Sequence, residues 1–89
     1  MKVAVITRRL LSPQRAAIKA VLPYFEIEVV PPMVRVQEHG LQIVLPYTDY
    51  DHYVVNANVR YACAIVRQLT AQDKAVSILT KVRREWRLI

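Results

Sequence analysis

The stretch YVVNANVRYACAIVRQL, residues 53–69, is the longest run in the chain whose apolar residues recur at helical spacing. Two neighbouring stripes run along it, and they consist of Val55, Val59, Ala62, Val66 and Leu69 and of Tyr50, Val54, Ala57, Tyr61 and Ile65. Apolar residues at three- and four-residue steps are typical of a helix, and two such stripes leave little polar surface. The pattern therefore predicts a central helix that packs on two sides or at a subunit interface.

The chain upstream begins with a strand and a helix. Residues 2–8 alternate loosely between apolar and polar side chains, which predicts a strand. Ser12 followed by Pro13 predicts a helix start, because serine supplies an N-cap oxygen and proline suits the first helical position. We expect this helix to end near Val21, because Pro23 disfavours helical backbone in the residue before it.

A further strand and a hairpin follow. Residues 26–30 alternate acidic with apolar side chains, which predicts a strand that is polar on one face. Residues 33–37 and 41–45 flank Glu38-His39-Gly40, where the only glycine of the chain supplies the positive φ that a tight turn needs. This segment predicts a β-hairpin with His39 solvated in its turn.

The last segment, residues 70–89, fits two patterns. Thr70 and Asp73 form a capping-box-like pair, and an apolar stripe of helical spacing follows them, comprising Ala75, Ile78, Leu79, Val82, Trp86 and Ile89. Strand alternation also fits this segment, but it places Arg84 among apolar groups. We therefore predict a helix, with a terminal hairpin as its rival.

Together these elements predict an α+β fold in the order β-α-β-β-β-α-α. A small mixed or antiparallel sheet of about four strands carries two or three helices packed on one face. If residues 70–89 form strands instead, a ferredoxin-like arrangement is the nearest alternative. We expect a single domain over residues 1–89, because a chain of 89 residues has no room for two independent cores.

The composition limits the compartment and the class of protein. The hydrophobic fraction is 54%, which offsets the entropy of ordering and excludes a disordered chain. The single cysteine, Cys63, cannot form an internal disulfide, and no secretory signal opens the sequence. No apolar run approaches the roughly 20 residues that cross a bilayer. We therefore expect a cytoplasmic protein, in the host cytoplasm if it is viral, without a membrane partner.

The charge is distributed unevenly along the chain, whose net charge is +6. Residues 1–25 carry a net charge of +5, residues 26–58 of −4, and residues 59–89 of +5. Such a bipolar molecule is expected to offer one surface to phosphates or to acidic protein.

The segment VLPYTDYDHY, residues 44–53, gathers the side chains that most resemble a reactive site. Asp49, Asp51 and His52 are of the types that ligate divalent metals. A junction explains them better, since Pro46 ends a strand and an aspartate caps the helix that follows. We predict no catalytic residue, no metal site and no cofactor here. Tyr47, Tyr50 and His52 are a candidate second contact surface on this turn.

Other nucleophiles lack the surroundings that catalysis requires. Cys63 has small apolar neighbours on a predicted buried helix, so we expect it to pack as a small hydrophobe. No glycine-rich elbow surrounds Ser12 or Ser77. The chain is therefore predicted not to be an enzyme, and no small-molecule substrate is evident.

The main candidate binding surface is the basic C-terminal string KVRREWRLI, residues 81–89. The residues in question are Lys81, Arg83, Arg84, Trp86 and Arg87, with Arg8, Arg9 and Arg15 as a second basic group. Arginine pairs with phosphate or carboxylate through a planar fork, and an indole stacks or anchors in a pocket. The alternative is a solvent-exposed helix face without a binding role, beneath which Trp86 is buried.

Two functions agree with these features. The first is a non-enzymatic protein-interaction module, such as an inhibitor, adaptor or structural subunit, which would suit a virus or mobile element. The alternative is a nucleic-acid-binding module that contacts phosphates through the basic end segments. The sequence favours a protein partner or self-association, because the apolar excess needs burial and phosphate binding does not provide it.

Overall fold

Seven strands and two helices form in the computed structural model, which describes residues 1–44 and 50–89. In chain order they are β1 (Lys2–Ile6), α1 (Ser12–Val21), β2 (Glu26–Val30), β3 (Met33–Gln37), β4 (Gly40–Val44), β5 (His52–Asn56), α2 (Ala62–Ala71), β6 (Val76–Val82) and β7 (Glu85–Leu88). The chain is thus a small mixed domain of helices and strands, in agreement with the predicted class. The predicted strand count and order are wrong.

Five of the strands form one sheet in the order β2-β1-β5-β6-β7. β1 pairs in parallel with β2 and β5, β5 pairs in parallel with β6, and β7 joins β6 in antiparallel. The chain crosses from β1 to β2 on one side and then returns to add β5 on the other side of β1. This doubly wound topology replaces the predicted four-stranded sheet, and its element order also differs from the ferredoxin-like alternative.

The two helices contact opposite faces of the sheet. On the face toward α1, the buried side chains are Val3, Val5, Ile18, Val54 and Leu79. On the face toward α2, they are Ala4, Ile6, Val30, Ile43, Tyr53, Val55, Ile65 and Leu69. Successive residues of β1 and β5 therefore alternate between two covered faces. The prediction that all helices pack on one face is wrong for this reason.

The stretch at residues 53–69 divides into a strand and a helix. Its first residues belong to the central strand β5, and α2 begins only at Ala62. Val54 and Val55 are both fully buried, because a parallel strand inside a sheet is covered on both faces. Apolar and polar residues do not alternate in such a strand. Its apolar run therefore fits the spacing of a helix as well as that of a strand. The predicted continuous helix is wrong here.

The C-terminal segment is a hairpin, as in the rival interpretation, and the predicted last helix is wrong. Thr70 lies within α2, and Asp73 adopts a positive φ of 57° just after that helix, so the two form no capping box. β6 and β7 pair from Leu79–Leu88 to Val82–Glu85. The chain turns between these strands at Arg84, so this residue lies in the turn and not among apolar groups.

The N-terminal elements follow the sequence closely. α1 spans the predicted residues and ends at Val21, although Leu11 and not Ser12 occupies the N-cap position. The side-chain oxygen of Gln14 accepts a hydrogen bond from the Leu11 N–H at 2.8 Å. The predicted hairpin forms as the separate two-stranded sheet β3–β4, and Gly40 has the expected positive φ, 127°.

The β3–β4 hairpin occupies the place that a crossover helix would fill between β2 and β5. Ile43 is buried in the core on the α2 side. Nε2 of Gln68 on α2 donates a hydrogen bond to the Ile43 carbonyl at 3.0 Å. The hairpin is therefore tied to α2 while its strands extend from the end of β2. No helix in residues 1–44 or 50–89 is long and apolar enough to cross a membrane.

Candidate functional site

The strands β1, β5 and β6 end along one edge of the sheet, which we call the carboxyl edge. Their register aligns Ile6 with Val55 and Val55 with Ile78. Because all three strands run in the same direction, the residues that follow each of them emerge at this edge. Each helix runs back from it, so both α1 and α2 begin there with the positive ends of their dipoles. Neither helix has an acidic residue in its first turn.

Arginine is concentrated at the carboxyl edge. The exposed residues there are Arg8, Arg9, Arg15, Arg60, Arg83 and Arg84. At the opposite edge, where the parallel strands begin, the exposed or half-buried cations are lysines and acids accompany them, namely Lys2, Lys19 and Lys74 with Glu26, Asp51 and Asp73. The net positive charge is therefore concentrated at the carboxyl edge, whereas lysines and acids balance each other at the opposite edge. The positive edge is mostly arginine, the cation whose fork fits phosphate.

The end of the C-terminal hairpin projects beyond this edge. The pairing of β5 with β6 ends at Asn56–Leu79, whereas β6 and β7 stay paired with each other up to Val82–Glu85. Four residues at about 3.3 Å each place Arg83 roughly 13 Å past the end of β5. We call residues 80–87 the basic ribbon. It is a two-stranded arm that carries cations on its flanks and at its tip.

The tip of the basic ribbon adopts a backbone that arginine disfavours. Arg83 and Arg84 have φ values of 50° and 69°, and together they close a two-residue hairpin turn. Positive φ at both central residues is the signature of a type I′ turn, for which Asn-Gly is strongly preferred. For a residue with a side chain, left-handed backbone costs about 1–2 kcal/mol. The turn thus holds two exposed arginines at a cost in stability.

The other predicted C-terminal residues lie along the same ribbon. Lys81 and Trp86 are cross-strand partners, and the Lys81 ammonium lies 5.7 Å from the centroid of the indole ring. Trp86 is half-buried and packs against the core on the α1 side, so it anchors the ribbon. Arg87 forms an exposed ion pair with Glu85 at 3.5 Å, which contributes at most about 1 kcal/mol. The structure thus brings these residues together on a hairpin and not on a helix.

A crevice opens where the chain leaves β1 and β5 toward opposite faces of the sheet. Its volume is about 890 Å³. The lining residues are Thr7 and Arg8 after β1, Asn56, Asn58, Val59, Arg60 and Tyr61 after β5, and Pro32, Met33, Arg35 and Val36 from the hairpin. In open α/β sheets, ligands bind outside the carboxyl ends of the strands at such a topological switch point. We call this feature the switch-point crevice.

The floor of the crevice is a fixed polar network. Nδ2 of Asn56 donates to Oγ1 of Thr7 at 3.2 Å, and this hydroxyl donates to the Arg9 carbonyl at 3.2 Å. Oδ1 of Asn56 accepts a hydrogen bond from the Asn58 N–H at 3.0 Å. Asn56 and Thr7 are only 4% and 3% exposed. One buried amide therefore links the loop after β1 to the loop after β5.

The walls of the crevice carry cations without matching acids. The Arg60 guanidinium lies 5.0 Å from the centroid of the Tyr61 ring, a distance suited to a cation–π contact. Arg8 and Arg35 line the other sides. Among residues 1–44 and 50–89, no acidic side chain forms an ion pair with any of these three arginines. The crevice is thus concave and positively charged.

Sequence reasoning missed this crevice because it placed residues 53–69, which include Asn56 and Arg60, on one continuous helix. A usable signal was present in the pair of asparagines at 56 and 58, directly after the apolar Tyr53–Val55. Asparagine favours turns because its side chain bonds to nearby backbone groups. A short apolar run followed by two such residues indicates a buried strand that ends in a loop.

The predicted second contact surface lies at the opposite edge and is only partly described. Tyr47 lies outside the described residues. Tyr50 is half-buried with its ring 5.7 Å from that of Tyr53, in an edge-to-face arrangement. Asp51 accepts a hydrogen bond from the Lys2 N–H at 2.7 Å, so it ties β5 to β1 and does not cap a helix. The cap predicted at Asp49 or Asp51 is therefore wrong for Asp51, and Asp49 lies outside the described residues.

His52 is part of the sheet and not of an exposed turn. Its Nε2 lies 2.7 Å from Oγ of Ser77 on the neighbouring strand β6, and its ring meets that of Phe25 edge-on at 6.2 Å. Desolvation by burial lowers the pKa of His52 below its ordinary value of 6.5. The folded state therefore favours the neutral ring.

This burial makes stability depend on pH in a predictable direction. The unfolded chain takes up a proton on His52 near pH 6.5, whereas the folded chain resists protonation to lower pH. The contribution of neutral His52 to the free energy of unfolding is fully present above pH 6.5. It is lost as the pH falls through the lowered pKa of the folded state. Urea unfolding between pH 5 and 8 should show a decline that His52→Gln reduces. His39→Gln, in the exposed turn, should leave the decline intact, and identical profiles for wild type and His52→Gln would contradict this origin.

Cys63 lies exposed in the first turn of α2, so the prediction that it packs as a buried hydrophobe is wrong. The physical reason is that α2 covers the sheet with only one of its faces. Its buried residues are Ile65 and Leu69, and Cys63 lies on another side of the helix.

Comparison of the chain with protein-family models, with curated proteins and with solved structures gives no match.

Proposed function

We propose that the chain is a non-enzymatic nucleic-acid-binding module that contacts a double helix with its carboxyl edge. The observation that carries the proposal is the convergence of arginines from three separate segments on this edge, after β1, before α2 and at the tip of the basic ribbon. A cluster of one sign at one edge produces a field that attracts a polyanion. The lysines of the opposite edge are offset by acids, so the positive electrostatic potential is strongest at the carboxyl edge.

The shape of the basic ribbon supports a duplex as the ligand. The major groove of B-form DNA is about 12 Å wide and admits a two-stranded β-ribbon. Arg83 and Arg84 at the tip would reach the groove floor, where arginine forms bidentate hydrogen bonds with guanine. Lys81 and Arg87 lie on opposite faces of the ribbon, where they would face the phosphates on the two sides of the groove.

The strained turn also supports a binding role at the tip. Residues held in unfavourable backbone conformations are concentrated at functional sites. Asn-Gly would close the same hairpin at less cost, but it would remove both charges. The presence of two arginines at this position is explained if the ligand interacts with them.

A salt titration with matched charge variants tests the proposal. For a labelled duplex, the logarithm of the affinity should fall linearly with the logarithm of the salt concentration, by about 0.9 for each phosphate neutralised. The variant Lys81→Gln/Arg87→Gln should reduce this slope by about 1–2 and the affinity by about tenfold, since Glu85 already offsets part of the Arg87 charge. Fluorescence anisotropy measures both quantities.

The control is Lys2→Gln/Arg67→Gln, which removes the same charge from exposed residues away from the carboxyl edge. We expect less than a twofold change in affinity. If the two variants weaken binding equally, only net charge attracts the duplex and the proposed surface is wrong. A wild-type chain that fails to bind duplex at low salt would also overturn the proposal.

A second candidate, protein interaction, is supported by apolar side chains that remain exposed. Val21 at the end of α1, Tyr24 in the loop that follows and Val29 in the edge strand β2 are 56%, 89% and 36% exposed. A stable partner or a second copy would bury them in an interface of more than roughly 1,000 Å². Affinity purification with and without nuclease distinguishes the two functions, because a protein partner survives nuclease and a nucleic-acid partner does not.

A further inference from the structure

We infer that the two open edges of the five-stranded sheet recognise each other, so that β7 of one copy of the chain adds to β2 of a second copy. These are the terminal strands of the sheet, and no strand in residues 1–44 or 50–89 pairs with the outer side of either. An exposed strand edge presents unpaired N–H and C=O groups to another chain. The inference goes beyond duplex binding and gives the protein-interaction candidate a partner.

β2 directs the backbone groups of two residues outward. Glu26 donates its N–H to the residue before β1 at 2.8 Å, and the Val30 carbonyl accepts a hydrogen bond from the residue after β1 at 3.2 Å. Because backbone groups alternate in direction along a strand, Glu28 also faces β1, whereas Ile27 and Val29 face outward. The side chain of Ile27 packs against the core on the α1 side, and that of Glu28 is exposed on the other face.

β7 has the same arrangement at the opposite end of the sheet. The N–H and the C=O of Ile89 both bond to Ile78 of β6, at 2.9 Å each. By the same alternation, Arg87 faces β6 with its backbone groups, while those of Trp86 and Leu88 face outward. The side chains of Trp86 and Leu88 pack against the core on the α1 side, and that of Arg87 is exposed on the other face.

One antiparallel register joins the two edges completely. It places Ile27 opposite Leu88 of the second copy and Val29 opposite Trp86 of the second copy. Both pairs consist of outward-facing residues, so each pair exchanges two N–H···O bonds. Their apolar side chains then lie together on the α1 face of the joined sheet. The pairing keeps the α1 faces of both copies on the same side.

The charges favour this pairing over the pairing of like edges. In the same register, Glu28 lies directly opposite Arg87 of the second copy, and opposite charges at such positions stabilise a sheet. The register that bonds both outward residues of two β2 strands would place Glu28 opposite Glu28. The equivalent register of two β7 strands would place Arg87 opposite Arg87. Like charges directly opposite are destabilising, so each edge complements the other edge and not itself.

A contact between two different edges leaves one edge of each kind free, so further copies can add. Its strength is limited because Pro31, which has no N–H, follows β2 directly. We expect association at protein concentrations of roughly 0.1–1 mM, because so short a pairing buries less than the ~1,000 Å² of stable interfaces.

Sedimentation equilibrium of the full chain without nucleic acid tests the contact. The average mass should rise with concentration and pass that of a dimer. Glu28→Arg and Arg87→Glu should each weaken association about tenfold, and Glu28→Arg/Arg87→Glu should recover it to within about threefold of wild type. The control Glu26→Arg makes the same change in net charge on the same strand, but opposite Ile89. It should alter association by less than about threefold.

Val29→Pro tests the backbone pairing separately from charge. Proline here removes an outward N–H and no bond to β1, so circular dichroism should report an unchanged fold while association is lost. Val29→Ala keeps the N–H and should retain most of the association. A wild-type chain that stays monomeric at about 1 mM, or association by Val29→Pro equal to that of wild type, overturns the inference. Failure of the charge reversal to recover association also overturns it, even if Val29→Pro does not fold.

Arg87 is also part of the proposed duplex surface, so the contact between copies and duplex binding compete for this residue. Fluorescence anisotropy at protein concentrations below about 1 μM measures duplex affinity on the monomer. Val29→Pro should leave this affinity within about twofold of wild type, because β2 is not part of the carboxyl edge. Association without duplex binding would contradict only the proposed function. Duplex binding by a chain that never associates would contradict only this inference.

Discussion

Replacing Arg83-Arg84 with Asn-Gly should make the protein more stable and a poorer ligand for duplex nucleic acid at the same time. We expect the free energy of unfolding to rise by about 1–2 kcal/mol, because Asn and Gly adopt the required positive φ with little strain. We expect duplex affinity to fall roughly 50-fold, since the loss of two phosphate or base contacts at about 0.1 M salt costs nearly tenfold each. Urea unfolding and fluorescence anisotropy measure the two effects on the same sample.

Two further variants separate backbone strain from charge at this turn. Arg83→Gln/Arg84→Gln removes both charges and keeps the side chains, so it should lose affinity without gaining stability. Arg83→Lys/Arg84→Lys keeps charge and strain, and it should retain salt-dependent binding while losing the bidentate contacts that only arginine makes. A loss of stability in the Asn-Gly variant would mean that the turn is not strained. Unchanged affinity would mean that the tip does not contact the duplex.

Asn56→Ala should be among the most destabilising single changes at the carboxyl edge. We expect the free energy of unfolding to fall by about 2–4 kcal/mol. The amide of Asn56 is buried and bonds both the Thr7 hydroxyl and the Asn58 N–H, so its removal leaves two partners without their bond. The midpoint of urea unfolding should fall while the slope stays constant, as expected for a loss of stability without a change in unfolding mechanism.

Variants at the neighbouring residues are the controls for this network. Asn58→Ala should change stability by less than about 0.5 kcal/mol, because its backbone N–H still donates to Asn56. Thr7→Ser keeps the hydroxyl that Asn56 contacts, whereas Thr7→Val removes it and should be the more costly of the two. If Asn58→Ala proves as damaging as Asn56→Ala, the importance of the buried amide is refuted.

Elements that are solvated on one side could be predicted from the sequence. β2 is an edge strand whose acids Glu26 and Glu28 are exposed on either side of the half-buried Ile27, and α1 shows a single apolar stripe because only one of its sides is covered. The hairpin at Gly40 was predictable because its turn requires a residue that adopts positive φ readily. In β2 and α1, nearby side chains differ in polarity because some face solvent and others face the core.

The centre of the sheet could not be predicted in this way. β5 is buried on both faces. Tyr53, Val54 and Val55 therefore show no alternation of polar and apolar residues that would reveal a strand. In the C-terminal hairpin, two arginines occupy a turn where asparagine and glycine are the usual signal. The local signature of a hairpin turn is therefore missing from the sequence there.

The arginines of the candidate site were recognisable individually, but their convergence was not. Arg8 and Arg83 are far apart in sequence, and only the order of the strands brings them to the same edge. Strand order follows from long-range pairing, which local patterns do not encode. The crevice was missed because its lining comes from three separate segments, after β1, after β5 and in the hairpin, and the residues after β5 were assigned to a helix.

The pairing of β1 with β5 has a consequence for how the protein is made. Asn56 and Thr7 are 49 positions apart and join only when β5 docks beside β1. Contacts of such long range require closure of a large loop, whose entropy must be overcome before the contacts form. A chain emerging from the ribosome can build β1, α1 and β2 early, but it has no switch-point crevice until residue 60 is free of the tunnel. The crevice therefore has no partial form during synthesis.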